Sequence, residues 1–322
     1  MNTIRHYSES FALANAFTIS RGTKTHAHVV RVEISDGIHT GQGECVPYAR
    51  YGESLESVAA QIEALPADIN RLSLQELMPA GAARNAVDCA FWDLEAKQSG
   101  KPVWQLAGLA EPGELVTAYT LSLEEPEKMR ENAAKNAHRP LLKLKLGTPN
   151  DIPRLQAVRE GAPASTIMVD ANEGWAVPTL LELQPVLAGI GVALIEQPLP
   201  EADDSALAGA GFAIPVCADE SCHTSSGLEA LRSKYDVINI KLDKTGGLTE
   251  ALKMKAMAEA IGFTIFVGCM VGSSLGMAPA MLVAQGASFV DLDGPLLLAQ
   301  DREYGLRYEG STVYPPVPQL WG

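Results

Sequence analysis

The sequence predicts an α/β protein, a closed barrel of parallel strands preceded by a smaller α+β unit. Short apolar runs recur eight times from Val116 onward, at intervals of roughly 25 residues. Helix-length segments separate them. Ahead of these runs the pattern differs: an antiparallel hairpin signal comes first, then two helical stretches. Strand–helix alternation argues for parallel strands with helical crossovers, and eight such units suit a closed barrel better than an open sheet.

In chain order, VVRVEISDGIHTGQGECVP alternates apolar and polar residues on either side of Asp36-Gly37, a strong hairpin turn signal. YARYGES, with Gly52 as a hinge, reads as a lid beside the barrel mouth. Helices are expected from about Ser54 to Leu65 and from about Gly81 to Gln98, the second stopped by Gly100 and Pro102. Residues 1–113 thus make the α+β unit, and residues 114–295 make the barrel. The barrel strands are expected in VTAYTLSL, LLKLKLG, STIMVDAN, VALIEQP, IPVCADES, DVINIKLDK, FTIFVGCM and SFVDLDGP. PEKMRENAAKNA, PTLLELQPVLAGI and LTEALKMKAMAEAIG supply crossover helices. The Pro-rich tail, residues 296–322, is expected to return to the first unit.

Bulk properties bound the function. A chain of 322 residues with 47% hydrophobic content folds around a large core. A formal net charge of -14 argues against nucleic acid or an anionic membrane as partner, and leaves room for a small anionic substrate only where cations are concentrated locally. Five cysteines without CxxC or zinc-ligand spacing read as free thiols in a reducing compartment. The N-terminus lacks the apolar core of an export signal, and no run is long enough to span a bilayer, so a cytoplasmic location is expected. No pattern sets an oligomeric state, and a homo-oligomer is compatible with the chain.

The chemistry starts at PLLKLKLG. On a parallel strand covered on both faces, Leu142, Leu144 and Leu146 face the helices, which turns Lys143 and Lys145 into the barrel. Interior ammonium groups need compensating charge. The runs ending in VDAN, IEQP and CADES each place a carboxylate at a strand C-terminus: Asp170, Glu196 and Asp219, one βα unit apart. Acids that merely cap helices would account for one of these, but three in succession repel unless a cation lies between them. An all-oxygen ligand set favours a hard ion such as Mg²⁺. The next strand brings Lys241, roughly opposite Lys145. A metal flanked by two lysines suits removal of a proton α to a carboxylate, with the second lysine returning a proton to the other face. Lys143, next to Lys145, is expected to depress its pKa and to neutralise a substrate carboxylate. The motif Gly272-Ser273-Ser274-Leu275-Gly276 imitates a hydrolase nucleophile elbow, but no histidine follows Ser274 to complete a triad.

This set of residues resembles the enolase superfamily and its muconate-lactonizing subgroup, over essentially the whole chain. The resemblance implies a modified TIM barrel, (β/α)7β, with an α+β capping domain built from the N-terminal region and the C-terminal tail. It implies one Mg²⁺ per subunit on Asp170, Glu196 and Asp219, with Lys145 and Lys241 as the two bases. Within the subgroup the sequence is most similar to dipeptide epimerases acting on L-Ala-D/L-Glu, which implies a role in murein peptide metabolism. Asp291 and Asp293 in DLDGP suit a substrate ammonium, and Arg21 in ISRGT suits a side-chain carboxylate. Thr120, Lys143, Cys269, Met270 and Val271 match positions that touch the peptide. Related chemistries on the same scaffold are a cycloisomerase, an o-succinylbenzoate synthase and an N-acylamino acid racemase.

Overall fold

The computed structural model describes residues 2–149 and 151–322. An antiparallel sheet opens the chain: β1 (Thr3–Ile19), β2 (Gly22–Ser35) and β3 (Thr40–Cys45). Hydrophobic alternation is weak across residues 3–19, where Ser8, Ser10, Ala12 and Ala14 dilute it, and no element is expected there; pairing with β2 makes it the longest strand among the described residues. The turn at Asp36-Gly37 forms as expected. The Asp36 carboxylate accepts the backbone N–H groups of Ile38 and His39, and Gly37 supplies φ of +95°. The β1–β2 ladder breaks between Ala12 and Phe17, where Leu13 to Ala16 stand opposite Thr25 alone.

Three helices, α1 (Leu55–Glu63), α2 (Arg71–Leu77) and α3 (Ala82–Ser99), pack on this sheet. Helix α3 is nearly all buried because it serves two surfaces. One face lies directly on β3, where glycines bring backbone to backbone: a Cβ on Gly43 would stand 2.1 Å from Ala86 O, and one on Gly41 2.2 Å from Ala90 O. The other face meets the barrel through Asp88, Arg84, Asn85 and Trp92.

A short helix α4 (Val103–Leu106) and strand β4 (Leu115–Val116) lead into the barrel. Its eight parallel strands are β5 (Tyr119–Leu121), β6 (Leu141–Lys145), β7 (Thr166–Asp170), β8 (Val192–Glu196), β9 (Val216–Ala218), β10 (Val237–Ile240), β11 (Thr264–Val267) and β12 (Phe289–Val290), adjacent in sequence order. Every apolar run read as a strand contains one. A hydrogen bond from Ala118 N to Val290 O joins the first strand region to the last. The outer layer is α5 (Pro126–Lys135), α6 (Asp151–Gly161), α7 (Val177–Ile190), the short α8 (Leu228–Leu231) and α9 (Leu242–Thr245), α10 (Leu248–Ala260) and α11 (Ser274–Ala284). The eighth strand is followed by a 3-10 turn instead of a crossover helix, which gives the (β/α)7β form.

Leu142, Leu144 and Leu146 are fully buried with Met129 and Ala133 of α5 and Leu155 and Val158 of α6, so the leucine face of β6 is the helix-facing side. Inside the barrel, Ala118, Met168, Leu194, Cys217, Val237 and Phe266 form an apolar plug below the strand C-termini. Among the described residues no helix is long and apolar enough to cross a membrane.

The tail does return to the first unit. Ala299 N donates to Ala12 O, Trp321 Nε1 donates to Cys89 O of α3, and Gly322 N donates to Asp93 Oδ1. Strands β13 (Tyr308–Glu309) and β14 (Thr312–Val313) pair with β4.

Candidate active site

Strand register sets the centre of the site. Lys145 of β6 pairs with Asp170 of β7, and Asp170 pairs with Glu196 of β8. Asp219 follows β9 and Lys241 follows β10, so across five neighbouring strands the end residues read Lys, Asp, Glu, Asp, Lys. Oxygens of the three carboxylates lie within 4.8 Å of one another, and all three groups are buried.

Each carboxylate is held by one oxygen. Asp170 Oδ1 accepts Asn172 N at 2.9 Å, Glu196 Oε1 accepts Asn239 Nδ2 at 2.8 Å, and Asp219 Oδ1 accepts Lys244 Nζ at 2.6 Å. The second oxygens meet the lysines. Asp170 Oδ2 accepts Lys145 Nζ at 2.5 Å and Asp219 Oδ2 accepts Lys241 Nζ at 2.6 Å. Glu196 Oε2 lies 2.6 Å from Lys143 Nζ but accepts no hydrogen bond, because the angles are wrong for one. An all-oxygen set with a buried carboxylate oxygen that no donor satisfies fits a hard divalent cation. Asn239, Lys244 and Gln197 belong to this support, and the sequence reading does not single them out. Gln197 is fully buried at φ of +34° and its side-chain oxygen accepts the N–H groups of Asp219 and Ser221.

Lys143 is 1% exposed, above the Phe266 ring, and also 3.0 Å from Asp291 Oδ2. Carboxylates, more than the neighbouring lysines, set the charge around Lys143 and Lys241. Burial pulls the Lys143 ammonium down, but Glu196, Asp291 and Asp170 together outweigh it and hold the group well above the ordinary lysine range. Lys241 is likewise drawn down by burial and lifted further by Asp219 and Glu196.

Above this centre lies a cavity of about 780 Å³ between the barrel mouth and the antiparallel unit. It is lined by Thr120, Lys143, Lys145, Lys241, Cys269, Met270, Val271, Asp291 and Asp293, while Asp170 and Glu196 lie behind its wall. Thr120 N donates to Asp293 Oδ2 at 2.6 Å, and its hydroxyl donates to Asp291 Oδ1 at 3.4 Å. Burial, then the neighbouring Asp291 charge, pushes the Asp293 carboxyl up to about 7.

Arg21 reaches the cavity too, but its guanidinium is engaged: it donates to Asn172 O, Tyr48 OH and Glu220 Oε1, each at 2.8 Å. Lys24, three residues on, has no carboxylate within 4 Å among the described residues and lies over the Tyr48 ring. Spacing in the sequence does not distinguish the two cations, because the difference lies in contacts from β7 and β9. Tyr48 and Tyr51 of the YARYGES stretch also line the cavity, and Tyr51 packs edge-on against His223. Ser274 of the hydrolase-like motif is fully buried, bonded to Asp301 and to Leu306 N, and among the described residues no histidine hydrogen-bonds to it.

A family profile described as "Mandelate racemase / muconate lactonizing enzyme, N-terminal domain" matches residues 1–108, and "Enolase C-terminal domain-like" matches residues 128–309. An L-Ala-D/L-Glu epimerase of Escherichia coli (strain K12) is 44% identical, over 98% of this chain and 100% of that one. An N-acetyl-D-glutamate racemase of a Pseudoalteromonas species is 46% identical, over 91% and 95% respectively. Among solved structures, an enolase family member of Agrobacterium tumefaciens with homology to dipeptide epimerases, bound to sodium and L-Ala-L-Glu with an ordered loop, superposes at TM-score 0.98, with 57% identity and full coverage of both chains. A dipeptide epimerase of Cytophaga hutchinsonii complexed with Mg and D-Ala-L-Val superposes at 0.91, with 29% identity over 98% of this chain and 93% of that one. The chain belongs to the mandelate racemase/muconate lactonizing enzyme family of the enolase superfamily, among its dipeptide epimerase-like members.

Proposed function

We propose that this protein is a Mg²⁺-dependent epimerase of L-Ala-D/L-Glu-type dipeptides that inverts the glutamate α-carbon by two-base proton transfer. The observation that carries the reaction type is the row of strand ends, in which Lys145 and Lys241 flank three carboxylates. Asp170, Glu196 and Asp219 would hold the ion by the oxygens not fixed from behind. Bound there, Mg²⁺ supplies the positive charge that stabilises the anion left when the α-proton departs, and competes with the lysines for the same oxygens.

The remaining roles belong to side chains. Lys145 and Lys241 act on opposite faces of the α-carbon: the neutral one accepts the proton, and the charged one donates, so the pair starts each turnover in opposite protonation states. Lys143 neutralises the substrate α-carboxylate. Asp291 and Asp293 receive the ammonium, oriented by Thr120. Lys24 takes the side-chain carboxylate, while Arg21, tied to Glu220 and Tyr48, positions the loops around it. Cys269, Met270 and Val271 complete the lining. Five free thiols suit a cytoplasmic setting, where the product joins murein peptide metabolism.

Incubation of the Mg²⁺-loaded enzyme with L-Ala-L-Glu in D₂O should place deuterium at the glutamate α-carbon. Absence of exchange across a broad dipeptide library defeats the reading. The 46% identity to an N-acetyl-D-glutamate racemase favours a second reading, N-acylglutamate racemisation with the same lysines. An acetyl group has no charge for Asp291 and Asp293 to receive. Asp291→Asn and Asp293→Asn should therefore cripple the dipeptide reaction and spare N-acetylglutamate exchange.

A further inference from the structure

The break in the β1–β2 ladder has left room beside the active site. Where Leu13 to Ala16 bulge away from Thr25, a second cavity of about 340 Å³ opens. It shares Phe17, Lys24, His28 and Val271 with the main cavity, and Leu13, Thr25, His26 and Ala27 are its own. The His26 and His28 rings stack along one side, with centroids 6.1 Å apart, and Lys24 stands at the junction of the two spaces.

The site leaves a substrate one direction in which to be longer. Its ammonium is consumed at Asp291 and Asp293, and its α-carboxylate must stay free beside Lys143 for the proton to be acidic. The side chain of the second residue is the remaining exit, and it points towards Lys24. We propose, resting on the dipeptide reading above, that the enzyme also takes acidic peptides prolonged through the side-chain carboxyl of the second residue, with the extension seated against Thr25, His26 and His28. Amide formation at that carboxyl removes one negative charge, and the terminal carboxylate of the added residue restores it within reach of Lys24 and the imidazoles. The proton transfer is unchanged, because the α-carbon and its free carboxylate are the same in both substrates.

The probe is L-Ala-γ-L-Glu-L-Ala, in which the third residue is linked through the glutamate side chain, compared with L-Ala-L-Glu by α-deuterium exchange in D₂O with Mg²⁺. Both should exchange. Thr25→Trp fills the second cavity and His26→Glu places a carboxylate in it; each should lower kcat/KM for the longer peptide at least about tenfold and leave the dipeptide within about twofold. Retained dipeptide turnover shows that the variants fold. Exchange of the dipeptide without exchange of the longer peptide overturns the proposal, as does longer-peptide exchange that neither variant alters. Exchange of neither substrate by the parent enzyme removes the dipeptide reading itself, and the extension with it.

Discussion

The proposed function gives Asp293 a substrate ammonium to receive, yet burial and Asp291 push its carboxyl up to about 7. The groups facing it are Asp291, Thr120, Lys143, the Arg139 guanidinium, and the Cys269 thiol and the Tyr119 and Tyr308 phenols, the last three pushed up by burial and neutral across the working range. Only ionised Asp293 attracts an ammonium, so the ratio of kcat/KM for L-Ala-L-Glu to that for N-acetyl-L-glutamate should rise, by about tenfold at most, between about pH 6 and pH 8. Taking the ratio cancels titration of the bases. A flat ratio removes Asp293 from ammonium recognition. The two lysines separate by another measurement: Lys145→Ala and Lys241→Ala should each abolish epimerisation, while one variant retains α-proton exchange from a single stereoisomer. Full activity in both rules out the two-base mechanism. Asn239 holds one oxygen of Glu196, so Asn239→Leu should weaken Mg²⁺ binding by roughly 10–100-fold, read as a smaller Mg²⁺-induced rise in Tm. These lysines and acids are legible in the sequence because each lies at the end of an apolar run. Asn239, Lys244 and Lys24 are not, since their importance depends on which neighbour occupies which oxygen.

Helix α3 shows what an element must satisfy on two sides at once. Gly43 brings β3 onto its backbone, and Gly43→Ala forces a Cβ into the Ala86 carbonyl. The expected loss is about 1–3 kcal/mol or more in urea unfolding, since backbone cannot yield as a flexible side chain does. On the other face, Asp88 caps a helix across the domain junction: its carboxylate accepts Thr249 N at 2.9 Å and the Thr249 hydroxyl at 2.6 Å, in the first turn of α10, whose own N-cap Gly247 offers no side chain. Burial pushes Asp88 up to about 6 against an ordinary 3.8. A raised carboxyl pKa contributes stability below the unfolded value and loses it as pH rises through the folded one. Asp88→Asn, which keeps the acceptor without the charge, should therefore gain in Tm relative to the parent on going from about pH 5 to pH 7.5; a constant difference excludes ionisation of Asp88 as the cause. The helical pattern of α3 is plain in GAARNAVDCAFWDLEAKQSGK. The burial of its polar residues is not, because it depends on the barrel that arrives far later in the chain.

Across the whole molecule, the eight strands are legible because a βα rhythm leaves a repeated signature, while β1 is hidden because its partner carries the hydrophobic pattern for both. Arg302 ties the ends together: its guanidinium contacts Glu9 of β1, Glu44 of β3 and Ser273 ahead of α11. That charge cluster lies behind Val271, at the rim of the cavity. The layout of the cavity has a further consequence. Phe17, Ile19, Lys24, Tyr48 and Tyr51, which the proposed function puts at the variable end of a substrate, all fall within residues 17–53, whereas every proposed base and metal ligand lies between 145 and 241. Recognition of that one end and the proton-transfer machinery are thus written on separate, contiguous pieces of chain, while the ammonium and α-carboxylate contacts come from Thr120, Lys143, Asp291 and Asp293 of the barrel. Exchanging residues 17–53 for the corresponding segment of a family member with another preference should move substrate choice and leave the metal requirement and the exchange stereochemistry in place. The fold behaves as a fixed tool with an interchangeable holder.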